Sequence, residues 1–343
     1  MEKINMIPHS RPLIVPEDFG YMRSVMQSGM LMDGRCVDKF ENELKNYLNT
    51  ETCFTLSSGT AALFLAIRAL SIEKGDEVVL PTYVCSNVLL AVLSSGATPV
   101  FCDIGKNWNM TPETVAPHIS KRTKAIILVH IFGIIEKVDP FLQFKIPIIE
   151  DRCQAFIGKK DKMPGKSRII SLFSFHATKC LTTGSGGAIA TDNPDIGASL
   201  EKNRDFYRKI YPITDIQAAL GLSQLKRYKS FLARRLRIAN YYLKHLPVSL
   251  TKNLSDCREK TIFFRFPVIN EKSDFEAKSV AFERSGIFVR RGVDALLHRK
   301  FSLADKYYKN AVHCFNHTVS LPIYPALSDK DMEKITEKTK DIL

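Results

Sequence analysis

Between residues 76 and 150 the chain alternates short apolar runs with helical stretches, and this limits the fold more than any other feature. The runs at 76–80, 98–104, 124–130 (KAIILVH) and 146–150 (IPIIE) read as strands; Pro81 ends the first, and a helix at 87–94 precedes the second. Strands of this kind build a mostly parallel sheet covered on both faces. Ligands of such sheets sit beyond the carboxyl ends of the strands. Asp151, directly after IPIIE, and Gln154 fall at one such end. An aspartate there commonly caps a helix; the alternative is that it pairs with a protonated heterocyclic nitrogen.

Two further stretches carry chemistry of the same kind. Ser58, Gly59 and Thr60 lead into AALFLAIRAL, an apolar run uncharged until Arg68. Hydroxyls and free amides at a helix start form a seat for an anion, although a plain Ser/Thr cap uses the same residues. The stretch 171–191, SLFSFHATKCLTTGSGGAIAT, holds a single lysine, Lys179, among small and apolar neighbours. Desolvation lowers an ammonium pKa, and a neutral amine attacks carbonyls, so Lys179 reads either as a Schiff-base lysine or as an ordinary loop lysine. An anion seat, a carboxylate and an amine, in this order, are together what pyridoxal 5'-phosphate requires.

At 343 residues, one large domain with a smaller companion is expected, divided as 1–235 and 236–343. The formal charge is +13, yet lysines and arginines are scattered, with mild crowding at 159–166, 202–209 and 290–299. Without a basic helix or aromatic-interleaved patch, a polyanionic small molecule explains this excess better than nucleic acid does. The eight cysteines lie far apart with no C-x-x-C pair, and neither a signal-length nor a membrane-length apolar run occurs. The expectation is a cytoplasmic protein without disulfides, metal or membrane contact. His313, Cys314 and His317 have an i, i+4 histidine spacing that suits a metal on a helix, but no acidic ligand lies in that run, and it reads as a loop. The glycines at 184–187 lack the third glycine of a dinucleotide loop.

The sequence resembles the DegT/StrS-type sugar aminotransferases. The resemblance rests on SGMLMDGRCVDKFE, SSGTAAL, KGDEVVLPTY, SSGATPVFCDI, KAIILVHIFG, IIEDRCQAFIG, SFHATKCLTTGSGGAIAT, TDIQAALGLSQL and SLPIYPALSDKDMEKI. It implies an α/β, three-layer fold of aminotransferase type I, like aspartate aminotransferase, with a smaller α+β C-terminal domain. It further implies that Lys179 is the catalytic lysine, Asp151 the partner of the pyridine nitrogen and Gln154 the amide on the 3-hydroxyl side, with Ser58, Gly59, Thr60 and Ser174 around the phosphate. The implied reaction moves an amino group, usually from glutamate, to a keto group of a nucleotide-diphosphate-linked deoxysugar, in a homodimer. Sugar dehydration on the same scaffold is one alternative, though family members that do this replace the lysine with histidine. A catalytically silent cofactor-binding protein is the other.

Three departures from the family pattern stand out. Val84 and Cys85 occupy the place of a threonine and an aromatic that stacks on the cofactor ring, so that stacking is weaker or comes from elsewhere, and Cys85 remains a cofactor-binding residue. The Gly-Glu-Gly-Gly after the lysine becomes Gly184-Ser185-Gly186-Gly187. Before TDIQAAL, an Asn-aromatic-Arg-Met run that reaches the neighbouring subunit gives way to RKIYPI. Elsewhere the spacing predicts helices within 20–47 in two pieces, from 216 to about 246, at 275–285 and at 330–343, and strands at 261–269 and 287–290.

Overall fold

The computed structural model describes residues 6–32, 34–158, 168–272 and 275–343. The basic run at 159–166 therefore lies outside the described residues. Seven strands form one sheet: β1 (Thr52–Leu56), β2 (Glu77–Pro81), β3 (Thr98–Cys102), β4 (Thr123–Val129), β5 (Ile148–Asp151), β6 (Ile169–Ser174) and β7 (Gly187–Thr191). Their order is β1-β7-β6-β5-β4-β2-β3, and β7 alone runs against its neighbours. Most positions of β2, β4, β5, β6 and β7 are buried on both faces, which is why these strands read as continuous apolar runs rather than alternating ones.

Helices cover the sheet. α1 (Pro16–Ser28) and α2 (Arg35–Leu48) precede it, and α3 (Gly59–Ala69) packs on β6 and β7 through Ala61, Ala62, Leu65 and Ala66. Alanines at the contact let the helix approach the sheet closely. α4 (Ser86–Ser94) and the short α5 (Pro112–Val115) flank β3; α6 (Pro194–Lys202) and α7 (Arg204–Ile210) follow β7. The crowding of positive charge at 202–209 is met internally: Arg204 and Arg208 both pair with Glu41, and Arg208 with Asp38 at 2.7 Å.

α8 (Asp215–His245) leads to a smaller α+β region, and the expected boundary between 235 and 236 falls inside it. That region holds α9 (Val248–Ser255), β8 (Phe266–Ile269), α10 (Phe275–Arg284), α11 (Lys309–His317), β9 (Thr318–Leu321) and α12 (Asp329–Ile342), with β8 and β9 paired antiparallel. Three expectations are corrected here. Residues 287–290 make only isolated bridges, Ile287 to Ile7 and Arg290 to Ser320, and form no strand. Residues 313–317 are the last turns of α11 rather than a loop; Ala311 and Cys314 supply its buried stripe, a signal that two histidines and an asparagine obscured. The expected strand at 261–269 shrinks to β8, because the backbone at Phe263 turns through a positive φ.

Candidate active site

The carboxyl ends of β4, β5 and β6 and the start of α3 converge on a cleft of about 260 Å³. All eight residues singled out from the sequence line it: Ser58, Gly59, Thr60, Cys85, Asp151, Gln154, Ser174 and Lys179. Cys153, Asn87, His176 and Ser185 line it too. His130, the other histidine weighed as a pocket residue, is buried behind β5 instead.

Ser58 caps α3, its Oγ accepting from the Ala61 amide at 3.1 Å. The first intrahelical donor is the Ala62 amide to the Ser58 carbonyl. The Gly59 and Thr60 amides thus precede the helical ladder and lie at the positive end of the dipole. Glycines make this corner possible. A Cβ on Gly59 would stand 2.9 Å from the Ser174 Cβ, and one on Gly187 would stand 2.4 Å from the Ser58 carbonyl carbon. The start of β7 therefore touches the start of α3 backbone to backbone, and Gly59 packs directly on the Ser174 side chain at the end of β6. They leave a concave seat lined by amides and the hydroxyls of Ser58, Thr60 and Ser174, a donor set that fits a phosphate.

Asp151 ends β5 and is 5% exposed. Its Oδ1 accepts from the Cys153 amide at 2.9 Å, which fixes the side chain at the strand end. Behind it lies a buried polar network. The Glu136 amide donates to His130 Nδ1 (3.0 Å), so Nε2 carries the proton that His130 gives to Glu150 (3.0 Å); Ser171 donates to the other Glu150 oxygen at 2.7 Å. Burial alone would push the Glu150 carboxyl up, but Arg152, His130 and Ser171 reverse this and hold it well below the ordinary carboxylate range. Gln154 uses its Oε1 to accept from the Phe132 amide at 2.8 Å, leaving its NH₂ group as the available donor.

Lys179 sits in the connection between β6 and β7, which is closed by its own hydrogen bonds. The Phe175 amide donates to the Gly186 carbonyl, Ala177 to Gly184, and Thr183 to Phe175, at 2.8–2.9 Å. Cys180 and Leu181 anchor the loop in the core. The lysine is half-buried, and its Nζ lies 5.0 Å from the centre of the Phe264 ring. Phe264 belongs to the expected strand 261–269 and was not singled out as a site residue; nothing local marks it, since the turn at Phe132 and Gly133 brings it there from the smaller region.

A model of the DegT/DnrJ/EryC1/StrS aminotransferase family matches residues 12–340. The chain is 29% identical to the spore coat polysaccharide biosynthesis protein SpsC of Bacillus subtilis, over 99% of this chain and 97% of that one. It is 30% identical to the GDP-perosamine synthase of Caulobacter vibrioides, over 90% and 91% of the two chains. Among solved structures it superposes on the PMP form of the putative sugar aminotransferase Spr1654 from Streptococcus pneumoniae with a TM-score of 0.87 at 25% identity, covering 98% and 97%. The fold expected from the sequence, a type I aminotransferase with a mostly parallel sheet, is the one observed. With its family model spanning almost its whole length, this chain belongs to the DegT/DnrJ/EryC1/StrS aminotransferase family, as a sugar aminotransferase dependent on pyridoxal 5'-phosphate.

Proposed function

We propose that this aminotransferase takes nitrogen from an amino acid, glutamate by preference, and gives it to a keto group of a nucleotide-diphosphate-linked deoxysugar. The observation that carries the reading is the convergence of the α3 start, Asp151 and Lys179 on one cleft. The name GDP-perosamine synthase, borne by a 30% identical relative, supports a sugar nucleotide as the acceptor.

When bound, pyridoxal 5'-phosphate supplies a carbonyl carbon for nitrogen exchange and a ring that accepts electrons. Ser58, Gly59, Thr60 and Ser174 bind its phosphate, with the helix dipole behind them. Asp151 holds a proton on the ring nitrogen, because an ionised carboxylate in a buried setting favours the charged heterocycle. The Gln154 NH₂ would donate on the 3-hydroxyl side, and Cys85 would line the pocket that receives the ring. Lys179, in the same cleft, would hold the cofactor's carbonyl carbon, and its amine, when free, would take up the proton from the α-carbon of an amino donor.

The enzyme works as a cytoplasmic homodimer. Phe19, Met26, Met30, Leu31 and Met32 are exposed along α1 and just after it, beside a groove of about 1020 Å³ between α1 and α2. Apolar side chains gathered in this way support association of two copies. Among the described residues no helix is long and apolar enough to cross a membrane.

The test is to load the protein with the cofactor, convert it with glutamate and offer a panel of nucleotide-diphosphate keto-sugars. Mass spectrometry detects an amino-sugar nucleotide and return of the yellow colour if the proposal holds. A protein that glutamate bleaches, but that only keto acids and no keto-sugar recolour, contradicts the assigned acceptor.

A further inference from the structure

The smaller region carries a cluster that the aminotransferase reaction does not use. Glu271, His313 and His317 place their potential ligand atoms within 4.8 Å of one another. α11 sets the two histidines one turn apart, with ring centres 4.9 Å apart, and Glu271 follows the end of β8. Glu271 is the acidic partner missing from the local run, and it comes from a segment distant in sequence.

The hydrogen bonding prepares these atoms for a cation. The Asn270 carbonyl can only accept, so at 3.2 Å it takes a proton from His317 Nδ1 and turns Nε2 toward Glu271. Nε2 of His317 lies 4.0 Å from Glu271 Oε2. Nε2 of His313 lies 3.2 Å from Glu271 Oε1. Bonds of about 2.0–2.1 Å in a tetrahedral zinc site place ligand atoms roughly 3.3 Å apart, a spacing the His313–Glu271 pair already has, with all three ligand atoms within 4.8 Å of one another. Asn270 is held in turn: its amide nitrogen bonds the His317 carbonyl (3.1 Å), its Nδ2 the Leu343 carbonyl (2.8 Å), and Lys278 donates to its carbonyl at 2.7 Å.

We propose that Glu271, His313 and His317 form a binding site for a borderline divalent cation of the zinc type, with water as the fourth ligand. Two imidazoles and one carboxylate are the ligand set such ions take, and hard magnesium or calcium does not. A cation there clips the end of β8 to the last turn of α11, and through Asn270 to the chain terminus. It lies apart from the cleft, so its effect is on the stability of the smaller region rather than on nitrogen transfer.

The experiment uses the cofactor-loaded full chain, stripped with chelator, and titrates zinc against a chromophoric competitor, with cobalt as the spectroscopic probe. The wild type binds one equivalent, its melting temperature rises, and the cobalt form shows tetrahedral bands without thiolate charge transfer. His317→Gln and His313→Gln weaken this binding by more than the roughly 10–100-fold that losing an outer-shell partner costs. Glu271→Gln, at an exposed position, weakens it in the same sense and removes the rise in melting temperature. Unchanged affinity in these folded variants, or thiolate bands in the cobalt spectrum, overturns the assignment.

Discussion

Gly59 and Ser174, one at the start of α3 and the other at the end of β6, approach so closely that a Cβ on the glycine would stand 2.9 Å from the Ser174 Cβ. The same Cβ would lie 3.1 Å from Cys153 Sγ. The seat proposed for the phosphate thus depends on a missing side chain as much as on the hydroxyls around it.

Gly59→Ala is therefore expected to fold but to push α3 away from β6. A displacement of even ~1 Å at such a site costs on the order of a hundredfold, so cofactor affinity should fall by at least about tenfold. Spectroscopic titration with pyridoxal 5'-phosphate measures this, with circular dichroism as the check on folding. Affinity equal to wild type would show that the phosphate sits elsewhere.

Asp151→Asn keeps an oxygen to accept from the Cys153 amide, so the β5 end should hold its shape. What it loses is the charge proposed to keep a ring nitrogen protonated. The expected result is retained cofactor with kcat reduced roughly hundredfold or more, the scale of one preorganised electrostatic contact. Wild-type kcat in this variant would remove Asp151 from its role.

Glu150 makes stability depend on pH on the acid side. Its folded carboxyl titrates well below the ordinary 4.5, despite a burial that by itself acts in the other direction. A depressed pKa contributes stability that is fully present above the unfolded value and is lost as pH falls below about 4.5 toward the folded one. Glu150→Gln should flatten that part of the acid limb in urea titrations. It also leaves the buried Arg152 without its carboxylate, at a cost of about 3–5 kcal/mol for a broken buried pair. An acid limb identical to wild type would show that other carboxylates govern it.

Cys85 is exposed at the cleft, whereas most of the other cysteines are buried. Bound cofactor should shield it, so iodoacetamide should modify Cys85 in the stripped protein several-fold faster than in the loaded one. Peptide mapping reads the rates. Equal rates would place the ring away from Cys85.

Much of this arrangement was legible in the sequence, because strand ends and helix starts are local events. IPIIE followed by Asp151, and Ser58-Gly59-Thr60 followed by an uncharged helix, each announce a backbone geometry that fixes where the side chains sit. What escaped reading came from contacts between distant segments. Phe264 reaches Lys179 only through the turn at Phe132 and Gly133, and Glu271 meets His313 and His317 only because β8 pairs with β9. α11 was missed for a different reason: its buried stripe is short, and polar residues occupy the rest of it. Gly187 shows the same limit at a single residue, since a glycine in a glycine-rich run does not reveal which backbone it presses against.

The most direct measurement is borohydride reduction of the cofactor-loaded protein, followed by peptide mass spectrometry. The account predicts a phosphopyridoxyl group on Lys179, with Lys179→Ala folded, able to bind the cofactor and retaining no covalent label. A label on another lysine, or none in the wild type, would contradict it.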